Sequence, residues 1–211
     1  MFRTHRYALL AAFAVGVSLL ISLAHQAQAG DDKGFVELFN GKDLTGWKTI
    51  LGNKKADDGK VFSVKESVIV VSGNPSGYFY TDKSYKNYVL RYDWKFIKNG
   101  NSGLLVHITG DHKVWPKSVE VQGQQSDHGN IFAIGGAKGK FKKDAAAQKK
   151  AIKIGEWNTT EFTVKDGDMT AKINGLVVCT GKAEGVTEGP FGFQSEGTEL
   201  HFKNIKIKVL D

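Results

Sequence analysis

Leu90-Arg91-Tyr92-Asp93-Trp94-Lys95-Phe96 puts a bulky apolar side chain at every second position and a charge at each position between. That period of two is the mark of a half-buried β-strand, because successive side chains point to opposite faces of a sheet. The same rhythm recurs on either side of it. Near the C-terminus Leu200 and Phe202 are in phase, and Ile205, Ile207 and Val209 are in phase again after a one-residue slip at Asn204, which predicts a β-bulge. Further strands are predicted over 35–39, 67–71, 104–108, 118–122, 161–164, 169–178 and 191–194. Asn174-Gly175 between two apolar runs predicts a hairpin. The single helix candidate is 144–152, around Ala145-Ala146-Ala147-Gln148. Many short strands with 25 glycines predict an all-β sandwich or jelly roll. The stretch 135–153, with Lys138, Lys140, Lys142, Lys143, Lys149, Lys150 and Lys153, reads as a long basic loop, either a solvated flap or a functional segment.

The first 29 residues follow the plan of a secretory signal: Arg3 and Arg6, an apolar stretch from Tyr7 to Leu23, then Ala27-Gln28-Ala29 before Gly30. Cleavage there leaves residues 30–211 as one exported domain, periplasmic or extracellular, with no stable membrane insertion. Losing two arginines lowers the formal charge of +7 by two and leaves Arg91 as the only arginine. The remaining lysines are spread along the chain instead of forming a stripe between aromatics, so nucleic acid is not an expected partner. One cysteine, Cys179, cannot make an internal disulfide; within Leu176-Val177-Val178-Cys179 it reads as a small buried hydrophobe.

Alternation also selects the candidate chemistry. In Lys117-Ser118-Val119-Glu120-Val121-Gln122 the valines claim the core, which leaves Ser118, Glu120 and Gln122 as a polar row on the other face. In Gly103-Leu104-Leu105-Val106-His107-Ile108 the same rule sends Leu104, Val106 and Ile108 one way and His107 the other. Trp115, just before the polar row, can platform a pyranose ring; Trp94 belongs to the core face of its strand, and Trp47 and Trp157 read as core as readily as site. Hydrolysis by two carboxylates needs them about 5 Å apart for retention or about 6.5–9.5 Å for inversion. Sandwich-fold glucanases place such acids on one strand as E-x-D-x-x-E, whereas Glu120-Val121-Gln122-Gly123-Gln124-Gln125 carries amides there. His107, Glu120 and His128 together offer imidazole and carboxylate to a divalent metal ion, although their spacing matches no ligand motif. Asp57-Asp58 and Asp166-Gly167-Asp168 read as turn chemistry.

Six segments in order then resemble the 3-keto-disaccharide hydrolase domain family. They are Leu38-Phe39-Asn40-Gly41-Lys42-Asp43-Leu44-Thr45-Gly46-Trp47, Asn101-Ser102-Gly103, Trp115-Pro116-Lys117-Ser118-Val119-Glu120, Gly155-Glu156-Trp157-Asn158, Asn174-Gly175 and Phe202-Lys203-Asn204-Ile205-Lys206-Ile207. The resemblance implies a concanavalin-like jelly roll of two antiparallel sheets, and cleavage of 3-keto-glycosides by hydrolysis or by 1,2-elimination followed by hydration. It places Glu120 and Gln122 on the family's site strand and matches Gln194-Ser195-Glu196-Gly197 to the family's late Gln-x-His-Gly or Gln-x-Glu-Gly turn; the position of His107 is frequently arginine in relatives. The expected roles are base or metal ligand for Glu120, proton transfer or ligand for His107, and sugar binding for Ser118, Gln122, Trp115, Gln194 and Glu196. No cofactor is required by this chemistry, and a divalent metal would serve it by polarising the ketone. A small saccharide is the expected partner. The competing readings are a non-catalytic glycan-binding module and an envelope protein that holds acidic polymers through its lysine-rich segment.

Overall fold

The computed structural model describes residues 32–211, so the expected signal segment falls outside the described residues. Phe35–Asp211 form one compact unit. It is a concanavalin-like jelly roll of two antiparallel sheets packed face to face. One sheet runs β2 (Trp47–Leu51), β5 (Gly77–Thr81), β14 (Gly192–Ser195), β7 (Gly103–Thr109), β8 (Lys117–Gln122), β9 (Ile131–Ile134). The other runs β10 (Lys138–Lys143), β13 (Leu176–Glu184), β12 (Asp168–Ile173), β11 (Asn158–Lys165), β6 (Tyr88–Phe96), β15 (Leu200–Val209), β4 (Val68–Val71), β3 (Phe62–Lys65), with β1 (Val36–Glu37) added along β15. Two short helices complete it, α1 (Asp58–Val61) and α2 (Ala145–Ala151). No helix among the described residues is long and apolar enough to cross a membrane.

The alternation that opened the reading is realised along β6, where Tyr88, Leu90, Tyr92, Trp94 and Phe96 are all buried and the residues between them are not. Between the sheets these rings meet Phe79, Phe162, Phe191, Phe193 and Phe202. Cys179 is free and buried in the same core. The slip at Asn204 is a bulge: the β15–β6 register shifts between Lys203 and Lys206, Asn204 has φ +52°, and its amide donates to Asp93 at 2.6 Å. Asparagine tolerates that left-handed conformation better than most residues. Asn174 and Gly175 have φ +48° and +85°, the signs that a tight two-residue hairpin turn between twisted strands demands.

The lysine-rich segment differs from the expected loop. Lys138–Lys143 form an edge strand on β13, followed by α2, whose N-cap Asp144 accepts from Ala147 N at 2.9 Å. On β10 Lys138, Lys140 and Lys142 face outward while Gly139, Phe141 and Lys143 take the other side, so the core-facing half of the period is too sparse to read as apolar. Lysine on an edge strand also blocks pairing with another chain.

Candidate functional site

The site grows from three neighbouring strands of the six-stranded sheet. Val119 and Val121 on β8 are fully buried in the main core, as is Leu104 on β7, so Glu120 and its cross-strand partner Leu105 point to the outer face. On β14, Phe193 fills the core and Gln194 faces outward beside Tyr78 of β5. The strand between Glu120 and Gln194 presents Gly103 at that level. A Cβ there would lie 2.1 Å from Gln194 Oε1 and 2.7 Å from Glu120 Oε1, so the bare glycine is what lets carboxyl and amide converge. Ser102 beside it donates from Oγ to the Gln194 carbonyl at 2.8 Å, and Asn101 bridges to Glu196 through the backbone and hydrogen-bonds its carboxyl through the side chain.

Glu120 is only 5 % exposed. Burial, then the nearby charge of Glu196, pushes its pKa up to about 7, against a hydrogen bond from Gln194 that favours the ion. A carboxyl poised near neutrality can take or give a proton, the property expected of a general acid or base. Glu196 is also held above the usual carboxylate range by burial, opposed by hydrogen bonds from the Trp115 indole and from Asn101. Trp115 remains 53 % exposed, so an aromatic face stands in solvent directly beside the carboxyls. Among the described residues no protein donor reaches the buried acceptors Gln194 Oε1 and Asn101 Oδ1, and a third, Gln125 Oε1, belongs to a segment hydrogen-bonded to Gly100. Each such vacancy costs about 1–3 kcal/mol in a folded protein, so their grouping here is informative. Beyond them the outer face turns apolar, with Tyr78, Leu105 and Ile108 as a second cluster against Ile50, Tyr80 and Ile134. His112 closes over it, 3.3 Å from the Tyr78 hydroxyl and with its ring 4.7 Å from that of Tyr80.

Of the residues singled out from the sequence, Glu120, Gln194, Glu196 and Trp115 come together. Gln122 sits at the end of the row, its amide oxygen accepting from Gln124 N at 2.8 Å. Ser118 is corrected: it is fully buried and donates to the Pro116 carbonyl at 3.3 Å, so its hydroxyl is committed to the chain. His107 is corrected as well. The β7–β8 register slips between Val106 and Thr109, and His107 takes φ +53° within that bulge. One extra residue exchanges the two faces, so Ile108 joins the outer cluster. His107 instead turns to the ring of Tyr88, fully buried, its nitrogens 3.2 Å from the Val186 carbonyl and 3.0 Å from that of Lys86. Desolvation lowers its pKa.

His128 lies in the core, stacked on Trp94 at 3.6 Å and 8°, with burial lowering its pKa to about 3. The expected His107, Glu120 and His128 metal trio is therefore not assembled, and no group of three or more His, Cys, Asp or Glu side chains among the described residues is placed to hold a metal ion. Asn101 and Gly103 are site residues that strand periodicity missed. Their signal was the Asn101-Ser102-Gly103 motif, which marked the resemblance without revealing that each residue braces the carboxyl pair.

A jelly roll whose outer sheet face carries a poised carboxyl, amides and exposed aromatic surface belongs with the carbohydrate-handling β-sandwiches. More narrowly, the chain belongs to the family of the 3-keto-alpha-glucoside-1,2-lyase-like domain, whose model matches residues 34–208. It is 22 % identical to a 3-keto-disaccharide hydrolase of Bacteroides thetaiotaomicron, covering 86 % of this chain and 80 % of that one. A solved protein of Parabacteroides distasonis, described as a candidate glycosyl hydrolase, is similar at TM-score 0.62 and 28 % identity, over 84 % of this chain and 95 % of that one. The fold alone is shared with a carbohydrate-binding module of Bacillus subtilis, at TM-score 0.55 and 13 % identity over 77 % and 95 % of the two chains.

Proposed function

We propose that the protein is an exported enzyme that cleaves 3-keto-glycosides, with Glu120 as the base. The observation that carries this reading is a buried carboxyl brought to a pKa of about 7 beside a second carboxyl, on the face of the sheet away from the core. A ketone at C3 acidifies the proton on C2. Glu120 in its ionised form takes that proton, the electron pair moves to the C3 oxygen as an enolate, and collapse of the enolate expels the substituent on C1. Glu120, protonated by that step and held near a pKa of about 7, then gives the proton to the departing oxygen, while Glu196 stays ionised beside it. Water then adds to C1 of the unsaturated product and a proton returns to C2, so the net change is hydrolysis. The unpaired amide oxygens of Gln194 and Asn101 call for hydroxyl donors, which a sugar carries in abundance. Trp115 offers its ring to the sugar's C–H face.

The competing reading, a module that only binds glycans, is supported by the 53 % exposure of Trp115 against the 5 % of Glu120. A chromogenic 3-keto-glucoside separates the two. The enzyme reading expects turnover that Glu120→Gln abolishes while circular dichroism stays native; binding without release of chromophore by the unaltered protein would instead establish the module.

A further inference from the structure

The sheet face that carries Glu120 is roofed. Tyr78, Leu105 and Ile108 point away from the main core, yet none is more than 2 % exposed, and Gln194 and Glu120 beside them are buried too. The outer face of an antiparallel sheet meets water unless another segment lies on it. Here that segment is 110–116, the connection from β7 to β8. It leaves β7 at Thr109 and enters β8 at Lys117, residues that pair with each other. Its middle is carried far from both. A Cβ on Gly52, just past the end of β2, would lie 3.2 Å from Val114 Cγ2. With β2 three strand spacings from β7, roughly 14 Å, the connection must cross β5 and β14 before it returns.

Side chains hold this strap down. His112 Nδ1 is 3.3 Å from the Tyr78 hydroxyl, and its ring lies against that of Tyr80. Trp115 donates from its indole to the Glu196 carboxyl. Among the described residues no backbone–backbone hydrogen bond fixes 111–115. Gly110, where the strap leaves β7, has φ +71° and open space where a Cβ would stand. A permissive backbone at one end and few bonds along the length are what a segment needs in order to swing as a unit. The roof also lies in the way of the chemistry. Gln194 Oε1 is buried with no protein donor among the described residues, and a sugar has to come within hydrogen-bond reach of it and of Glu120 to react there.

We propose that 110–116 is a lid over the Glu120 centre, hinged at Gly110 and latched where the Trp115 indole meets Glu196. The proposal rests on the reading of Glu120 as the base. With the lid raised, a 3-keto-glycoside reaches Glu120, and Tyr78 and Tyr80 are bared as an aromatic floor next to Gln194, the cross-strand partner of Tyr78. With the lid down, water is kept from the carboxyl that takes the proton, as the burial of Glu120 already shows.

The test is to lock the lid. The Gly52→Cys, Val114→Cys double variant sets two thiols across a gap that suits a disulfide, whose Cβ atoms stand about 3.5–4.5 Å apart. The native Cys179 is buried and does not compete. Oxidised, the variant should lose turnover of a 3-keto-glucoside by about 100-fold or more, because the open state is removed; reduced, it should regain the turnover of the unaltered protein. ¹⁵N relaxation dispersion reads the lid without turnover. In the unaltered protein the 111–115 amides and the Trp115 indole should exchange on the μs–ms scale of lid motions, and oxidation of the double variant should quench that exchange while the buried Trp94 indole stays steady in both. Full turnover in the oxidised variant, or flat dispersion along 111–115 in the unaltered protein, would overturn the proposal. If the variant stays inactive after reduction, the dispersion of the unaltered protein decides. Absence of turnover in the unaltered protein would count against the Glu120 reading, whereas exchange that the lock quenches would still uphold the lid, so the two fail separately.

Discussion

Glu120 and His128 are both buried polar side chains in or next to the six-stranded sheet, and they differ in how their surroundings are completed. Around His128 the network closes: Nδ1 lies 3.3 Å from the Gly123 carbonyl, Nε2 lies 3.4 Å from the Thr160 hydroxyl, and that hydroxyl in turn accepts from the Trp94 indole at 2.9 Å. A neutral imidazole that donates from Nδ1 and accepts at Nε2 satisfies all of it. Around Glu120 the network stays open, with unpaired oxygens on Gln194 and Asn101 and a second carboxyl within electrostatic reach. Closed buried polarity stabilises a fold, whereas open buried polarity costs stability and is kept where a ligand completes it.

The largest expected effect tests the open centre. Glu120→Gln should lower kcat/KM on a 3-keto-glucoside by about 10²–10⁴-fold, the usual range for a proton-transfer group. The same variant should be more stable than the parent above pH 5. Glu120 has a folded pKa of about 7 against 4.5 for the model carboxyl, so folding is penalised progressively as pH rises from 4.5 to 7 and the penalty is complete above that. At about 1.4 kcal/mol per pH unit this amounts to roughly 3 kcal/mol. Urea melts at pH 4.5 and 8 would show it, and a variant both inactive and less stable at pH 8 would break the contrast between the two centres.

Gly103→Ala comes next. Its methyl group would land on the Glu120 and Gln194 oxygens, so activity should fall while the core on the opposite face of β7 is spared. Overpacking of this kind costs about 1–3 kcal/mol. Retention of full turnover would mean that the convergence of carboxyl and amide is incidental.

His128→Ala should do the reverse. Removing a stacked core ring costs about 3 kcal/mol in thermal or urea melts, and kcat/KM per folded molecule should be unchanged. Its pH signature is also opposite to that of Glu120. With its pKa lowered from 6.5 to about 3, His128 contributes fully above pH 6.5 and loses stability as pH falls through that window, so the variant should lose part of the parent's acid sensitivity.

Much of this contrast could be read in the chain, and the reasons for the misses are physical. Val119 and Val121 fixed the facing of Glu120 because both neighbours in β8 are unambiguously apolar. His107 was misplaced because a bulge inside β7 exchanges faces, and its φ of +53° is imposed by pairing with β8 and by two distant carbonyls, none of which leaves a local trace. His128 follows Gln125-Ser126-Asp127, a polar run without period, and only the tertiary fold brings it onto Trp94. Asn101 acts on Glu196, 95 positions later in the chain, across a strand junction that periodicity cannot see.

The smallest effect sharpens the open centre itself. If Glu120 must be ionised to act as base, kcat/KM should rise with pH through about 7, the pKa of the free enzyme's base. Burial is the main cause of that raised value and the charge of Glu196 the second. Glu196→Gln removes only the second, so the rising limb should move to lower pH by a fraction of a pH unit. Trp115 would keep a hydrogen-bond acceptor at residue 196, so loss of that bond is not the cause of the shift. A limb that stays in place would separate the two carboxyls electrically and leave desolvation alone to tune Glu120, while a limb that moves to higher pH would contradict the placement of Glu196 beside it.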